Sequence, residues 1–460
     1  MNDGVTNHKQ LFISLAIGAA VVIGVGIIAV RSCEPSDGAL LGSGDGSGVD
    51  PEFAIGTGDG VAGEDLVAAS DVVDIEEGEP AVPAWQAPDL SLPPVDFDSP
   101  LDLSAAELDP ERGALVIHRD DGMLIVLTID PALQEHLEQT VHRYEEPAEA
   151  VVAVEPSTGR ILAWVGDHSD VSPVDDPAAS AYPFAASVFK VVTATALLES
   201  GEVNPELVHC VPPSHRTVEL EDLSDNSERD SRCVNMTAAM AGSVNAYFAR
   251  QADRQLPDGS LALWLDRFQF NREFPVPLHV EPSPAEVPED RLESARMAAG
   301  FRHSHLSPLH AALILATIAN HGEMMRPAII SEIVDSNGET VYRQTPEVWR
   351  VVMEPETAER LVGILSQTTV SGTARRYFDD REGWPESLQV AGKTGTLSNR
   401  GIEETSDDPY LVFTWFAGFA PIEAPTISVG AVVYNPERWY IKGSYLAAEA
   451  ILEHHRNHSP

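Results

Sequence analysis

Twenty consecutive uncharged, mostly apolar residues, LFISLAIGAAVVIGVGIIAV at positions 11–30, stand before a long acidic stretch and so decide where this 460-residue chain can build a core. The run is long enough to cross a bilayer once as a helix. It is also longer than the apolar region of a cleaved signal peptide, so an uncleaved anchor over residues 10–31 is expected, with residues 1–9 cytoplasmic. The rival reading is a lipoprotein signal, because Val30, Arg31, Ser32 and Cys33 have the outline of a lipobox with an atypical arginine. Flanking charge says little, with only Lys9 before the run and Arg31 after it. Residues 34–112 then carry about twenty Asp and Glu against the single Arg112, with many Gly and Pro and few aromatics. Such a composition buries too little to fold and reads as a disordered linker over residues 32–112. As a coil, about eighty residues span roughly 50 Å end to end. The folded domain is expected over residues 113–460.

Charge narrows the partners. The formal net charge is −43, from 29 basic and 72 acidic residues, and no basic stripe offsets it. Nucleic acid and anionic lipid headgroups are therefore excluded as partners. The glycines of GSGDGSG (42–48) make no nucleotide loop, because no strand precedes them and no helix follows. Of the three cysteines, Cys33 abuts the apolar run, while Cys210 and Cys233 flank a polar stretch. In an oxidising compartment those two would close a loop of about 24 residues, worth about 3 kcal/mol. Two unpaired cysteines are the alternative. No Cys and His spacing implies zinc, and the terminal EHHRNHSP reads as a solvated tail, so neither a metal nor an organic cofactor is expected.

After the linker the pattern becomes regular. GALVIHRDDGMLIVLTID reads as two strands about a turn at Asp121 and Gly122, followed by a helix from Pro131. AVVAVEPSTGRILAWVG is a hairpin turning at Pro156, Ser157, Thr158 and Gly159. A mostly helical middle follows, including LSPLHAALILATIANHG, with Ser307 at the cap, Pro308 at the first helical position and Gly322 at the stop. SLQVAGKTGT, YLVFTWFAGFAP and TISVGAVVY make three more strands, and SYLAAEAILEHH a closing helix. Turns and loops, not crossover helices, join these strands, so neighbours should pair antiparallel. The expected fold class is α/β: an antiparallel sheet flanked by helices, with a mostly helical subdomain.

Three short motifs carry candidate chemistry. From Ser187 to Ser200 the chain has neither Gly nor Pro, and Gly201 follows, which predicts a helix with its glycine stop. Ser187 and Lys190, three apart, share a face at the end where free N–H groups and the positive end of the dipole point outward. Alone, the pair fits a first-turn cap beside a solvated lysine equally well. Ser243 and Asn245 would diverge on a regular helix, so to serve one cleft they must sit in a turn between helices, which Gly242 favours. Lys393, Thr394, Gly395 and Thr396 lie on a strand. Gly395 would admit another backbone, Lys393 would add a cation, and an edge position would let an extended peptide add as a strand.

In chain order these are S-x-x-K, S-x-N and K-T-G, and together they resemble the signature of penicillin-binding proteins and related β-lactamases. The resemblance to the transpeptidase domain of penicillin-binding proteins runs from about Gly113 to the end, through LTIDPALQ, VAVEPSTGRILAWVG, SVNAYF, SPLHAALILATIANHG, SGTARRY, AGKTGT and FAGFAP. It implies that Ser187 attacks a D-alanyl-D-alanine stem peptide, expels D-alanine and forms an acyl-enzyme that an amine or water resolves. Lys190 would be the base. A fall of its pKa from about 10.4 to about 7 costs about 4.6 kcal/mol, which burial, the helix end and Lys393 would supply. Ser243 would relay the proton to the leaving amine, and Asn245 would hold the substrate amide. Lys393, Thr394, Gly395 and Thr396 would receive the terminal carboxylate, and the N–H groups of Ser187 and Thr396 would form the oxyanion hole. Cys210 and Cys233 fall where some members carry a cysteine pair, which supports the disulfide.

Two departures from the family pattern are visible. Ala185 and Ala186 stand where many members have Pro-Gly, so a different turn into the helix is expected, and Arg302 stands where glycine is frequent. No glycosyltransferase segment precedes the linker, so a single-activity enzyme is expected and not a bifunctional synthase. The resemblance implies a membrane-anchored D,D-transpeptidase on the extracytoplasmic side of the bacterial cytoplasmic membrane. Peptidoglycan stem peptides would be its substrate, and β-lactams its inhibitors. A D,D-carboxypeptidase or a class D-like β-lactamase is the alternative within serine acyl transfer, although class D enzymes usually carry S-x-V where Asn245 stands. A non-catalytic wall-binding or β-lactam-sensing scaffold is the alternative from another class.

Overall fold

The computed structural model describes residues 99–213, 217–400 and 410–458. The expected anchor and most of the expected linker lie outside them. Among the described residues, no helix is long and apolar enough to cross a membrane.

A five-stranded antiparallel sheet organises the domain, in the order Ala391–Ser398, Val412–Ala420, Ile427–Asn435, Ala148–Val154, Ile161–His168. The three middle strands are buried along their whole length, as continuous apolar runs with both faces covered must be. Alternate side chains serve separate cores. Val152, Val154, Trp415 and Ala417 face one, while Val151, Ala153, Phe416 and Val429 face the other. The helix Pro308–Ala319, apolar except for His310 and Thr317 and buried at every position, covers the first face. It lies so close that a Cβ on Gly430 would stand 2.1 Å from the Pro308 carbonyl oxygen. The helices Pro131–Val141 and Gly443–His458 cover the second face.

The hairpins are formed as the sequence predicts, but they serve different sheets. Ala148–Val154 with Ile161–His168 joins the main sheet beside Ile427–Asn435. Ala114–His118 with Leu124–Leu127 lies in a second five-stranded sheet, flanked by Glu107–Asp109 and by Ile330–Val334 with Thr340–Arg343.

Three expectations need correction. Regular structure begins before Gly113: the 3₁₀ turn Leu103–Ala105 and the strand Glu107–Asp109 fall inside the stretch assigned to the linker. Leu101, Leu103 and Ala106 pack against the core, and the Leu101 N–H donates to the Pro277 carbonyl at 2.8 Å, a local burial that composition averaged over eighty residues conceals. Next, the helix expected from Ser187 opens as a 3₁₀ turn, Ala186–Phe189, and becomes α-helical at Lys190–Glu199. Finally, the histidine-rich end is solvated only in part: it continues the helix Gly443–His458, in which His454 is buried while Arg456, Asn457 and His458 are exposed. Its period places His454 on the buried face with Ala447 and Ile451.

Cys210 and Cys233 are bonded, directly opposite one another in the ribbon His209–Val211 and Arg232–Val234. Arg250, buried on the helix Asn245–Gln255, secures the same loop. It donates to both Asp230 carboxylate oxygens (2.8 and 3.0 Å) and to the carbonyls of Asp222 (2.7 Å) and Cys210 (3.0 Å). One fork satisfied on every side outweighs the cost of burying the ion.

Candidate active site

The three motifs converge on one cleft of about 440 Å³, lined by Ser187, Ser243, Asn245, Thr394, Gly395 and Thr396. A cavity of equal volume around Asp253, Gly259 and Arg291 lies apart from all three motifs.

Backbone geometry explains how each motif reaches the cleft. Ala186 adopts φ +48°, a left-handed conformation that suits glycine. With alanine in that conformation the turn carries a strain of about 1 kcal/mol. Ser243 is also left-handed, at φ +50°, immediately after the helix Met236–Ala241 and its C-cap Gly242. That single residue breaks the helical period and lets Ser243 and Asn245 face one cleft. The strand Ala391–Ser398 is the sheet's edge, and Gly395 sits against the turn that carries Ser187: a Cβ there would lie 3.2 Å from Ala186 Cβ and 3.3 Å from the Ala185 carbonyl oxygen. Gly300 is tighter still, since a Cβ would stand 2.3 Å from the Ala186 carbonyl oxygen.

Lys190 is fully buried and its Nζ has three oxygen partners: Ser187 Oγ at 2.7 Å, Asn245 Oδ1 at 2.7 Å and the Ala299 carbonyl. An ammonium would donate to all three. A neutral amine has two N–H groups and one lone pair. Asn245 Oδ1 and the Ala299 carbonyl can only accept, so they take both N–H groups and leave the lone pair directed at Ser187 Oγ. Burial, and then the charge of Lys393, hold the Lys190 pKa well below its ordinary value, which favours that neutral form.

Lys393 is fully buried as well, and donates to Ser243 Oγ at 3.1 Å and to the Thr394 carbonyl at 2.8 Å. Burial pushes its pKa down to about 7. An unfolded lysine keeps its proton to about pH 10.4, so folding releases a proton between these values and stability rises with pH across that window. The cost of the buried ammonium is full below pH 7. We therefore expect the native protein to gain on the order of 2 kcal/mol on Lys393→Met between pH 7 and pH 9. Denaturant melts of both proteins at both pH values check this. Glu149, whose carboxyl burial raises to about 9, acts in the opposite sense but is common to both proteins and cancels in the difference. A stability gap that stays constant with pH would show that Lys393 does not titrate in this range.

Of the candidates in the three motifs, Ser187, Ser243, Asn245, Thr394, Gly395 and Thr396 line the cleft, while Lys190 and Lys393 are buried behind it, bonded to Ser187 and Ser243. The structure adds others. Ala299 contributes only a carbonyl, which no side-chain pattern could reveal. Thr373 Oγ1 is hydrogen-bonded to Thr394 Oγ1 and lines the cleft with Tyr377 and Lys442. Thr373 and Tyr377 belong to SGTARRY, a segment in which the sequence offered likeness but no role.

Comparison with known proteins agrees with this architecture. Residues 149–454 match the model of the penicillin binding protein transpeptidase domain. The peptidoglycan D,D-transpeptidase PbpA of Mycobacterium tuberculosis strain H37Rv is 27% identical over 360 residues, covering 71% of each chain. Stage V sporulation protein D of Bacillus subtilis is 26% identical over 72% of this chain and 52% of its own. Among solved structures, the D,D-transpeptidase domain of a peptidoglycan glycosyltransferase from Eggerthella lenta superposes with a TM-score of 0.61 at 22% identity, over 73% of this chain and 83% of that one. Penicillin-binding protein A of M. tuberculosis, as its penicillin G acyl-enzyme complex, gives a TM-score of 0.56 at 24% identity, over 72% and 80%. The family model spans more than half of the sequence, and its core strands and helices carry the three motifs to one cleft: this chain belongs to the penicillin-binding protein transpeptidase family.

Proposed function

We propose that this protein is a membrane-anchored serine D,D-transpeptidase that cross-links peptidoglycan stem peptides, with Ser187 as nucleophile and as the target of β-lactams. The observation that carries the reading is the buried Lys190 amine, whose two N–H groups are consumed by Asn245 Oδ1 and the Ala299 carbonyl. Its lone pair takes the Ser187 proton as Oγ forms a bond to the penultimate D-alanine carbonyl carbon. The N–H groups of Ser187 and Thr396 stabilise the resulting oxyanion, a device worth about 3 to 4 kcal/mol per donor. As the tetrahedral centre collapses the C–N bond breaks, and Ser243 passes the proton to the departing amine of D-alanine. The ammonium of Lys393, with Thr394 and Thr396, receives the terminal carboxylate, while the donor peptide lies along the free edge of Ala391–Ser398. Asn245 thereby has two tasks, holding the substrate amide and orienting Lys190. An acceptor amine then attacks the acyl-enzyme by the same steps in reverse. The anchor at residues 10–31 tethers the domain to the cytoplasmic membrane on its outer side, and the acidic linker gives it reach.

The direct test is to incubate the full chain in detergent with a stem peptide ending in D-alanyl-D-alanine and a second peptide bearing the acceptor amine. A peptide–peptide product with release of one D-alanine is expected. Release of D-alanine without that product would make the protein a carboxypeptidase, and no release from a folded protein would leave the scaffold reading.

A further inference from the structure

Outside the cleft, the most chemically specific cluster joins the end of the helix Gly443–His458 to the start of the helix Pro131–Val141. His454 and His458 are one helical turn apart, with ring centroids 4.3 Å from one another. Asp130 caps the second helix, where its Oδ1 accepts from the N–H groups of Ala132 and Leu133 at 3.0 and 3.2 Å. That leaves Oδ2, which stands 3.6 Å from His458 Nε2. One ligand atom from each of the three residues lies within 4.8 Å of the others.

The hydrogen bonds at this place leave nitrogen lone pairs available. His458 Nδ1 is 3.0 Å from the His454 carbonyl, which can only accept, so the proton sits on Nδ1 and Nε2 keeps its lone pair. His454 is 6% exposed. Its Nε2 is 3.2 Å from Thr426 Oγ1, and the tautomer that donates there carries its lone pair on Nδ1, which is buried with no hydrogen-bond partner. A buried nitrogen without a partner is costly unless something fills it. Carbonyl or hydroxyl on the far nitrogen is also the arrangement that fixes a metal-binding imidazole in its tautomer.

We propose that Asp130, His454 and His458 form a zinc-type divalent cation site that clamps the C-terminal helix to the helix Pro131–Val141. The donors would be His454 Nδ1, His458 Nε2 and Asp130 Oδ2, with water in the fourth position. Two imidazoles and one carboxylate suit zinc better than magnesium or calcium, which prefer all-oxygen shells. A tetrahedral ion needs its ligand atoms about 3.3 Å apart, from bonds of ~2.0 Å. Closing to that distance asks for small rotations in the last helical turn, where the His458 side chain is half exposed. The role is structural: none of the three residues lines the catalytic cleft.

The test uses the full chain in detergent, stripped with a chelator and dialysed against zinc alone, beside Asp130→Asn and His458→Gln. Asparagine keeps an oxygen for the cap, and the exposed His458 contributes little to the core, so both variants should melt like the native protein without metal. The native chain is expected to bind one zinc and to melt at a higher temperature when loaded. Cobalt in the same site should give the visible absorption of a four-coordinate ion. Each variant should weaken binding by more than the roughly tenfold lost with an outer-shell partner, and should lose the thermal shift. A native chain that binds no stoichiometric zinc, or zinc binding that survives both substitutions, would overturn the proposal.

Discussion

Ser187→Ala should abolish covalent labelling by a fluorescent penicillin while leaving the fold intact. Alanine removes only the hydroxyl from a half-buried position on the 3₁₀ turn, and that hydroxyl caps no helix end. Lys190 keeps two of its three oxygen partners, Asn245 Oδ1 and the Ala299 carbonyl. A melting shift equivalent to less than about 1 kcal/mol is therefore expected. Chemistry should suffer far more, because an isolated loss of the nucleophile in serine hydrolases costs about 10⁶-fold. The hydroxyl of the second motif serine, Ser243, is placed on the cation of Lys393 at 3.1 Å, a donor that lowers its nucleophilicity. Gel fluorescence and intact mass of the two proteins decide the matter. A folded Ser187→Ala protein that still gains the mass of the drug would move the nucleophile elsewhere, with Ser243 first in line.

The legible and illegible parts of this molecule differ in range. Each hairpin and helix near the site could be read locally: Asp121 and Gly122 mark one turn, Pro156 to Gly159 another, and Gly201 stops the nucleophile helix. Ser187 and Lys190 were readable as a pair because their spacing survives the change from α to 3₁₀ geometry. Sheet order was not readable. Ala148–Val154 lies beside Ile427–Asn435 across nearly 280 residues of sequence, with Ala431 opposite Val151, and strands buried on both faces carry no alternation to say which partner they take. Backbone contributions were equally silent. The Ala299 carbonyl accepts from the buried Lys190 amine, yet alanine there looks like any helical alanine. Gly300 leaves a trace only as a glycine whose neighbour cannot be known without the fold. His454 was misread because a run of polar residues near the terminus outweighed its helical phase with Ala447 and Ile451.

The second large effect concerns Lys190. Lys190→Met keeps the volume of the side chain and removes the amine, so acylation by penicillin should fall by about 10² to 10⁴-fold, the range associated with a positioned base. Stability changes in two directions at once: the desolvation penalty of the buried amine disappears, while Asn245 Oδ1 and the Ala299 carbonyl lose a donor. Lys190→Arg should be at least as inactive, because a guanidinium keeps its proton at every pH the protein survives. In the native protein the acylation rate should rise with pH as the Lys190 ammonium loses its proton, a step that burial and Lys393 bring well below the ordinary lysine range. It should then fall above about pH 7 as Lys393 loses the charge proposed to attract the carboxylate of the drug. A bell results, with macroscopic limbs that belong to the coupled pair. Lys393→Met should remove the alkaline limb and, by withdrawing a positive neighbour, move the acid limb to higher pH. Stopped-flow acylation of the native chain, Lys190→Met and Lys393→Met across pH 5 to 10 measures all of this. Acylation of Lys190→Met within tenfold of native, or an acid limb that stays in place in Lys393→Met, would show that Lys190 is not the base and that its buried contacts serve only to hold Ser187, Asn245 and Ala299 together.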